Sequence, residues 1–169
     1  MSYVPTRWQQ QATGYFCGPA AARIVLSAFD VPLPSQEKLA ELCDTSAEDG
    51  TSRYGVQRGL HQVLGNPLYT VRSTGDDLLA DAAKALAIGR PLPVNIVVRP
   101  GGPRPPGWAP RTGITDHWVA LVGISASRLL ICDPASGREG FNPRPVYAIP
   151  APTFLELVEK TYLALASLL

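Results

Sequence analysis

The chain is poor in the residues that most often build small-protein chemistry. It has three cysteines, Cys17, Cys43 and Cys132, an odd number with no close pair. That excludes a disulfide framework and a C-x-x-C redox or metal motif. Two histidines, His61 and His117, leave a structural zinc site poorly supplied. Charge is sparse and balanced, with 15 Lys and Arg against 14 Asp and Glu. No basic block occurs, so the many cations on one face that phosphate binding needs are missing, and nucleic acid is not an expected partner. No apolar run approaches the roughly 20 residues of a membrane span. The N-terminus "MSYVPTRWQQQ" has no basic stretch followed by an apolar one, so no signal peptide is visible. As it stands the chain reads as cytoplasmic, or as secreted if a signal has been removed. No GxSxG elbow, P-loop or GxGxxG is present to support a serine hydrolase or a nucleotide site. Nothing calls for a cofactor.

What is present is an ordinary globular composition, 46% apolar over 169 residues, which suits one domain spanning 1–169. Residues 17–29 read as a helix with Pro19 near its start, where a missing N–H costs nothing. Ser35 is placed to cap a second helix over "QEKLAELC". "YGVQRGLHQVLG" reads as a third, closed by Gly65, and "LYTVRS" as a short strand. Asp76 and Asp77 open a helix over "DLLADAAKALAIG". "LPVNIVV", "HWVALVGI", "RLLICDP" and "PVYAIP" read as strands, the middle two joined by "SAS" as a hairpin. "RPGGPRPPGWAPRTG" is neither helix nor strand, and an irregular segment this long in a compact domain is more often a functional rim than filler. "PTFLELVEKTYLALASL" is expected to close the chain as a helix. Helices first and strands later point to an α+β fold with an antiparallel sheet.

In "QATGYFCGPAAARIVL", residues 11–26, a cysteine stands at the mouth of an apolar helix, where Ser, Thr, Asp or Asn is usual. A helix N-terminus carries partial positive charge and unpaired N–H groups, and both favour thiolate over thiol. Cys17 is therefore either a small buried hydrophobe or an activated nucleophile. His61, mid-helix, reads as an ordinary helical histidine. His117 opens a strand directly after a loop, where a ring is held firmly yet stays reachable. If "SAS" sets Ile124 opposite Arg128, then Asp133 faces Val119, and His117 and Asp133 are diagonal neighbours on one face. A one-residue slip would separate them. Asp116 adjoins His117 but points to the other face. The alternative for Asp133 is turn chemistry in "DPASG". Attack on an amide also needs donors for an oxyanion. The Cys17 N–H and one of Gln9, Gln10 or Gln11 are at hand.

A glutamine, five residues, then "CGPAA", later "DHWVALVG", and "DPASG" sixteen residues after the histidine: together these resemble the C39 and C39-like papain-like cysteine peptidases. "GTSRYGVQRGL" is similar to the stretch between nucleophile and sheet in C39-like proteins. The resemblance implies a papain-like fold, with a helical part carrying the nucleophile packed on an antiparallel sheet. It implies Cys17 as nucleophile, His117 as general base and acid, Asp133 orienting the imidazole and Gln11 in the oxyanion hole. A peptide or protein is the implied substrate. Transporter-linked members cut leader peptides after Gly-Gly; the chain reads as a stand-alone domain that need not share that substrate, and the Pro-rich loop is longer than the family needs. The same machinery serves other acyl transfers or deamidation, and the fold also serves as a peptide-binding module. Cys43 and Cys132 are expected to be structural.

Overall fold

A computed structural model describes residues 1–73 and 77–169. After a two-residue strand β1 (Ser2–Tyr3) come helices α1 (Cys17–Leu26), α2 (Gln36–Leu42) and α3 (Arg53–Leu64). Strand β2 (Tyr69–Ser73), helix α4 (Leu78–Ala87) and strands β3 (Leu92–Val98), β4 (Thr115–Ile124), β5 (Arg128–Cys132) and β6 (Val146–Pro150) follow. Helix α5 (Ala151–Leu157) and strand β7 (Thr161–Leu165) complete the order before a short 3-10 turn. The sheet runs β2-β7-β3-β4-β5-β6, with β1 also paired to β4, and every pairing is antiparallel. Helices and antiparallel sheet are segregated as the α+β reading expects. Among the described residues no helix is long and apolar enough to cross a membrane.

Helix α1 is buried at every position except Arg23, which donates to the Pro34 carbonyl at 3.0 Å. A helix apolar all round must be central, and α1 packs on β3 and β4 with α2 and α3 against it. It ends at Leu26 rather than running to Phe29, with Ser27 as its C-cap. Ser35 caps α2 through Lys38 N, and Gly65 closes α3 in the left-handed conformation at φ 73°. Asp77 caps α4 through Ala80 N, while Asp76 lies outside the described residues.

The closing helix is a correction. Only Ala151–Leu157 is helical, and Thr161–Leu165 is a strand inserted between β2 and β3. Tyr162 pairs with Arg72 on one side and with Val94 on the other, and all five residues of β7 are buried. A strand buried on both faces reads as a continuous apolar run, which periodicity cannot tell from a buried helix.

The β4–β5 register is a second correction. Ile124 pairs with Leu129, not Arg128, and Gly123 with Leu130. A bulge between Leu121 and Gly123 then absorbs one residue, so that Leu121 meets Ile131 and Ala120 meets Cys132. Continuing that register sets Val119 opposite Asp133. The slip that would have parted His117 from Asp133 is undone by the bulge, a device that re-aims side chains near functional sites.

Candidate active site

Cys17 is the first residue of α1 and is 9% exposed. Phe16 caps the helix without a side-chain hydrogen bond, so no hydroxyl or carboxylate competes for the helix end. Gly18 behind it is required by a close approach: a Cβ there would lie 2.4 Å from Thr51 Oγ1. The Thr51 carbonyl in turn accepts from Trp118 Nε1 at 3.0 Å. The 49–52 loop is thus clipped between the start of α1 and strand β4.

His117, one residue before Trp118 on β4, is 3% exposed. Its Nε2 meets Asp133 Oδ1 at 2.7 Å, which leaves Nδ1 as the nitrogen for Cys17. Asp133 is fully buried just beyond β5. Besides His117, its carboxylate accepts from Ala135 N at 2.9 Å, Tyr147 OH at 2.8 Å and Trp108 Nε1 at 3.2 Å. The Ala135 bond is the turn chemistry foreseen as the alternative for this residue. One oxygen serves both purposes. The Trp108 ring also packs edge-on to the His117 imidazole, with centroids 5.4 Å apart.

Burial drives each charge in this group toward its neutral form, and the partners outweigh it. The thiol of Cys17 is held below its ordinary value by the hydrogen bond and charge of His117 and by the Trp118 backbone N–H, despite desolvation. Desolvation opposes the imidazolium of His117, but the charge and hydrogen bond of Asp133, with those of Cys17, raise it to about 10. Asp133 is lowered against its own desolvation by His117 and the surrounding donors. These directions favour a thiolate–imidazolium pair backed by a carboxylate. Cys43 and Cys132, where burial dominates, are both pushed up to about 12.

Gln11 is 5% exposed. Its Nε2 donates to the Thr13 carbonyl at 2.9 Å, and its Oε1 has no partner. Its backbone N donates to the Pro134 carbonyl at 2.8 Å. Trp8 Nε1 bonds the Asp133 carbonyl at 2.8 Å and Gln10 Nε2 the Ser136 carbonyl at 3.0 Å. The N-terminal segment is therefore stitched to the turn that carries Asp133. Gln36 on α2 braces it from the other side. Its Oε1 accepts from Ala12 N, and its Nε2 reaches Gln9 Oε1 and the Gln10 carbonyl, all within 2.9 Å. His61 lies apart, with Nε2 2.6 Å from the Tyr69 carbonyl on β2. Among the described residues no group of three or more His, Cys, Asp or Glu side chains gathers as a metal site would.

Trp108, Tyr147 and Gln36 had no part in the expected site. For Trp108 the signal was an aromatic residue in a Pro/Gly-rich loop. Gln36 and Tyr147 carry no local signal, because their roles depend on tertiary neighbours.

An antiparallel sheet with a cysteine-bearing helix packed on it, and an Asp–His pair on the side of the sheet, is the arrangement that the resemblance to the C39-like peptidases implies. The comparisons show the family. The model of the Peptidase_C39 like family matches residues 3–162, so the chain belongs to that family. The peptidase domain of Streptococcus ComA, a bifunctional ABC transporter of a quorum-sensing pathway, is similar at TM-score 0.62 and 21% identity, over 98% of this chain and 97% of that one. A double glycine motif protease from an AMS/PCAT transporter, in complex with the leader peptide, is similar at 0.57 and 16%, over 96% and 92%. The Carica candamarcensis cysteine protease CMS1MS2, in complex with E-64, is similar at 0.58 and 13%, over 95% and 92%. At these identities the solved structures show the shared fold. Among curated proteins no significant sequence match is found.

Proposed function

We propose that this protein is a cysteine peptidase, one domain over residues 1–169, with Cys17, His117 and Asp133 as its triad. The observation that carries the reading is the His117–Asp133 bond of 2.7 Å on a ring whose other side serves a cysteine at a helix start. The Cys17 thiolate attacks the scissile carbonyl. The oxyanion is held by the Cys17 backbone N–H and by the second N–H of the Gln11 side-chain amide, whose first is spent on Thr13. His117 gives its proton to the leaving amine, the C–N bond breaks, and a thioester remains. Water, deprotonated by His117, hydrolyses it and frees the thiolate. Asp133 keeps the ring oriented and its positive charge stabilised. A free thiol nucleophile works where thiols stay reduced, which fits a cytoplasmic setting.

The test is alkylation of each cysteine by iodoacetamide, mapped by mass spectrometry from pH 4 to 9, beside cleavage of a peptide library. Selective Cys17 reaction well below the free-thiol value of about 8.5, lost in His117→Ala, together with cleavage lost in Cys17→Ala, is the expected result. Cys17 no more reactive than Cys43 and Cys132 would overturn it. Acyl transfer shares the acylation step, and product formation with added amines in place of water would reassign the second step to it. Unchanged peptide binding by Cys17→Ala with no wild-type turnover would leave a binding module.

A further inference from the structure

Gln36 opens α2 and is 3% exposed, a polar side chain enclosed at the start of a helix. Both of its amide protons and its oxygen are in use. Oε1 accepts from Ala12 N at 2.9 Å, and Nε2 donates to the Gln10 carbonyl at 2.8 Å and to Gln9 Oε1 at 2.9 Å. The backbone partners fix the amide's orientation, because a flip would set two donors together at Ala12 and two acceptors together at Gln10. These bonds bracket Gln11 in sequence. They join two pieces that do not pack tightly: a cavity of about 170 Å³ is lined by Gln9, Gln10 and Ala12 from the segment and by Arg23, Ser35 and Gln36 from the α1–α2 side. On its other side the segment is tied to the Asp133 turn through Trp8, Gln10 and the Gln11 backbone N–H. The start of α2 is itself anchored to α1, the helix that Cys17 opens. Arg23 of α1 donates to the Pro34 carbonyl, two residues before Gln36, at 3.0 Å.

We propose that Gln36 is a positioning residue: by holding residues 9–12 to the start of α2, it sets the Gln11 side-chain amide and the Cys17 N–H on one oxyanion. Cys17 belongs to α1, whereas Gln11 lies in a segment with no helix or strand of its own. The two donors converge only if that segment is fixed relative to α1, and the Gln36 amide supplies the tie from the helical side. Donors stabilise an oxyanion by being in place beforehand, and a displacement of about 1 Å can cost on the order of 10²-fold in rate. The proposal rests on the peptidase reading for the role of Gln11. It adds that the oxyanion hole depends on a residue of α2.

The test compares two reagents for Cys17. A peptide aldehyde takes the thiolate at its carbonyl carbon, forming an S–C bond and an oxyanion that needs the hole. Iodoacetamide forms an S–C bond as iodide leaves and makes no oxyanion. Gln36→Met keeps the shape of the side chain and loses all three bonds. In that variant kcat and aldehyde affinity should each fall about tenfold, with KM little changed. The rate and pH profile of iodoacetamide alkylation should match wild type. In a Gln11→Ala background Gln36→Met should cost nothing further. Should Gln36→Met fail to fold, Gln36→Glu, which keeps the acceptor for Ala12 and loses both donors, goes through the same cycle. A full additional loss in the Gln11→Ala background, wild-type kcat and aldehyde affinity in Gln36→Met, or an equal loss of iodoacetamide reactivity would each overturn the proposal. Aldehyde affinity lowered through Gln11, with no peptide cleaved by wild type, keeps the role of Gln36 and overturns the hydrolytic reading. Peptide cleavage undiminished in Gln11→Ala overturns the roles of Gln11 and Gln36 and keeps the peptidase. A Cys17 inert to both reagents overturns both.

Discussion

Trp108 donates its indole N–H to Asp133 Oδ2 at 3.2 Å while its ring lies edge-on to His117 with centroids 5.4 Å apart. One side chain thus touches both members of the buried pair. The Pro/Gly-rich loop that delivers it is tied down at several points. Arg104 Nε donates to the Trp108 carbonyl, Ala109 N to the Gly140 carbonyl, and Asn142 Nδ2 to the Pro106 carbonyl. Gly107 sits at φ 77°, and a Cβ there would lie 2.9 Å from Asn142 Nδ2. The loop forms a wall against water on one side of the pair.

In the proposed mechanism Trp108 is a positioning residue, acting through Asp133 and His117. Trp108→Phe keeps the ring and loses one donor to a charged acceptor, and kcat should fall by roughly tenfold. Trp108→Ala also admits water, which screens Asp133 and weakens its hold on the imidazolium. The alkaline limb of the pH–rate profile should then move down from about 10, and recover in Trp108→Phe. A role confined to folding would lower the amount of active enzyme and leave the limb in place. KM should move less than kcat in both variants.

If the proposed triad carries catalysis, its three residues should differ in cost. Cys17→Ala removes the nucleophile and should abolish turnover. His117→Ala removes the general acid and base and should cost about 10²–10⁴-fold. Asp133→Asn should cost less, on the order of 10–100-fold, because an amide oxygen can still face His117 and Ala135. Its NH2 group then meets the donors Trp108 Nε1 and Tyr147 OH. That mismatch should also lower stability by ~1–3 kcal/mol, read as a shift in the urea midpoint. Near-normal rates in all three variants would remove the triad.

The pH dependence follows from the directions of shift. Productive attack needs Cys17 ionised and His117 protonated. The thiol is lowered and the imidazole raised, so the ion pair occupies the interval between them. Activity should rise on the acid side, below the pH at which an ordinary thiol ionises. It should stay level through neutrality and fall near pH 10 as His117 loses its proton. Iodoacetamide in slight excess at neutral pH should label Cys17 and spare Cys43 and Cys132, each held as thiol up to about pH 12.

Much of this site was legible because its parts lie on strongly patterned elements. Cys17 heads a helix whose apolar run and early Pro19 mark its start, and His117 opens a strand of clear β character. The parity that puts His117 and Asp133 on one face was readable, but not by the route taken. The turn sets the register one residue off, and a bulge around Val122, invisible in an apolar strand, restores it. The helical reading of the C-terminus failed for a related reason. Residues 162–165 are apolar because β7 is covered on both faces and paired on both edges. The donors around Asp133 were not legible at all. They come from a loop and a strand whose approach depends on the finished fold, and the same holds for Gln36.

One packing relationship gives a stability test independent of catalysis. Helix α3 has glycines at 55 and 59, one turn apart, and both face Cys43 at the end of α2. A Cβ at Gly55 would lie 2.2 Å from the Cys43 carbonyl oxygen, and one at Gly59 2.3 Å from Cys43 Sγ. The first obstacle is backbone and the second a short side chain that can be shortened further. Gly59→Ala should therefore destabilise by ~1–3 kcal/mol through overpacking, despite the better helix propensity of alanine. Adding Cys43→Ala removes the obstructing sulfur, and the double variant should recover most of the loss. Gly55→Ala should gain nothing from Cys43→Ala, because the carbonyl remains. Urea midpoints for the three single and two double variants supply both cycles. Equal rescue at the two positions would mean that α2 and α3 simply move apart and that the close approach at Cys43 does not set their spacing.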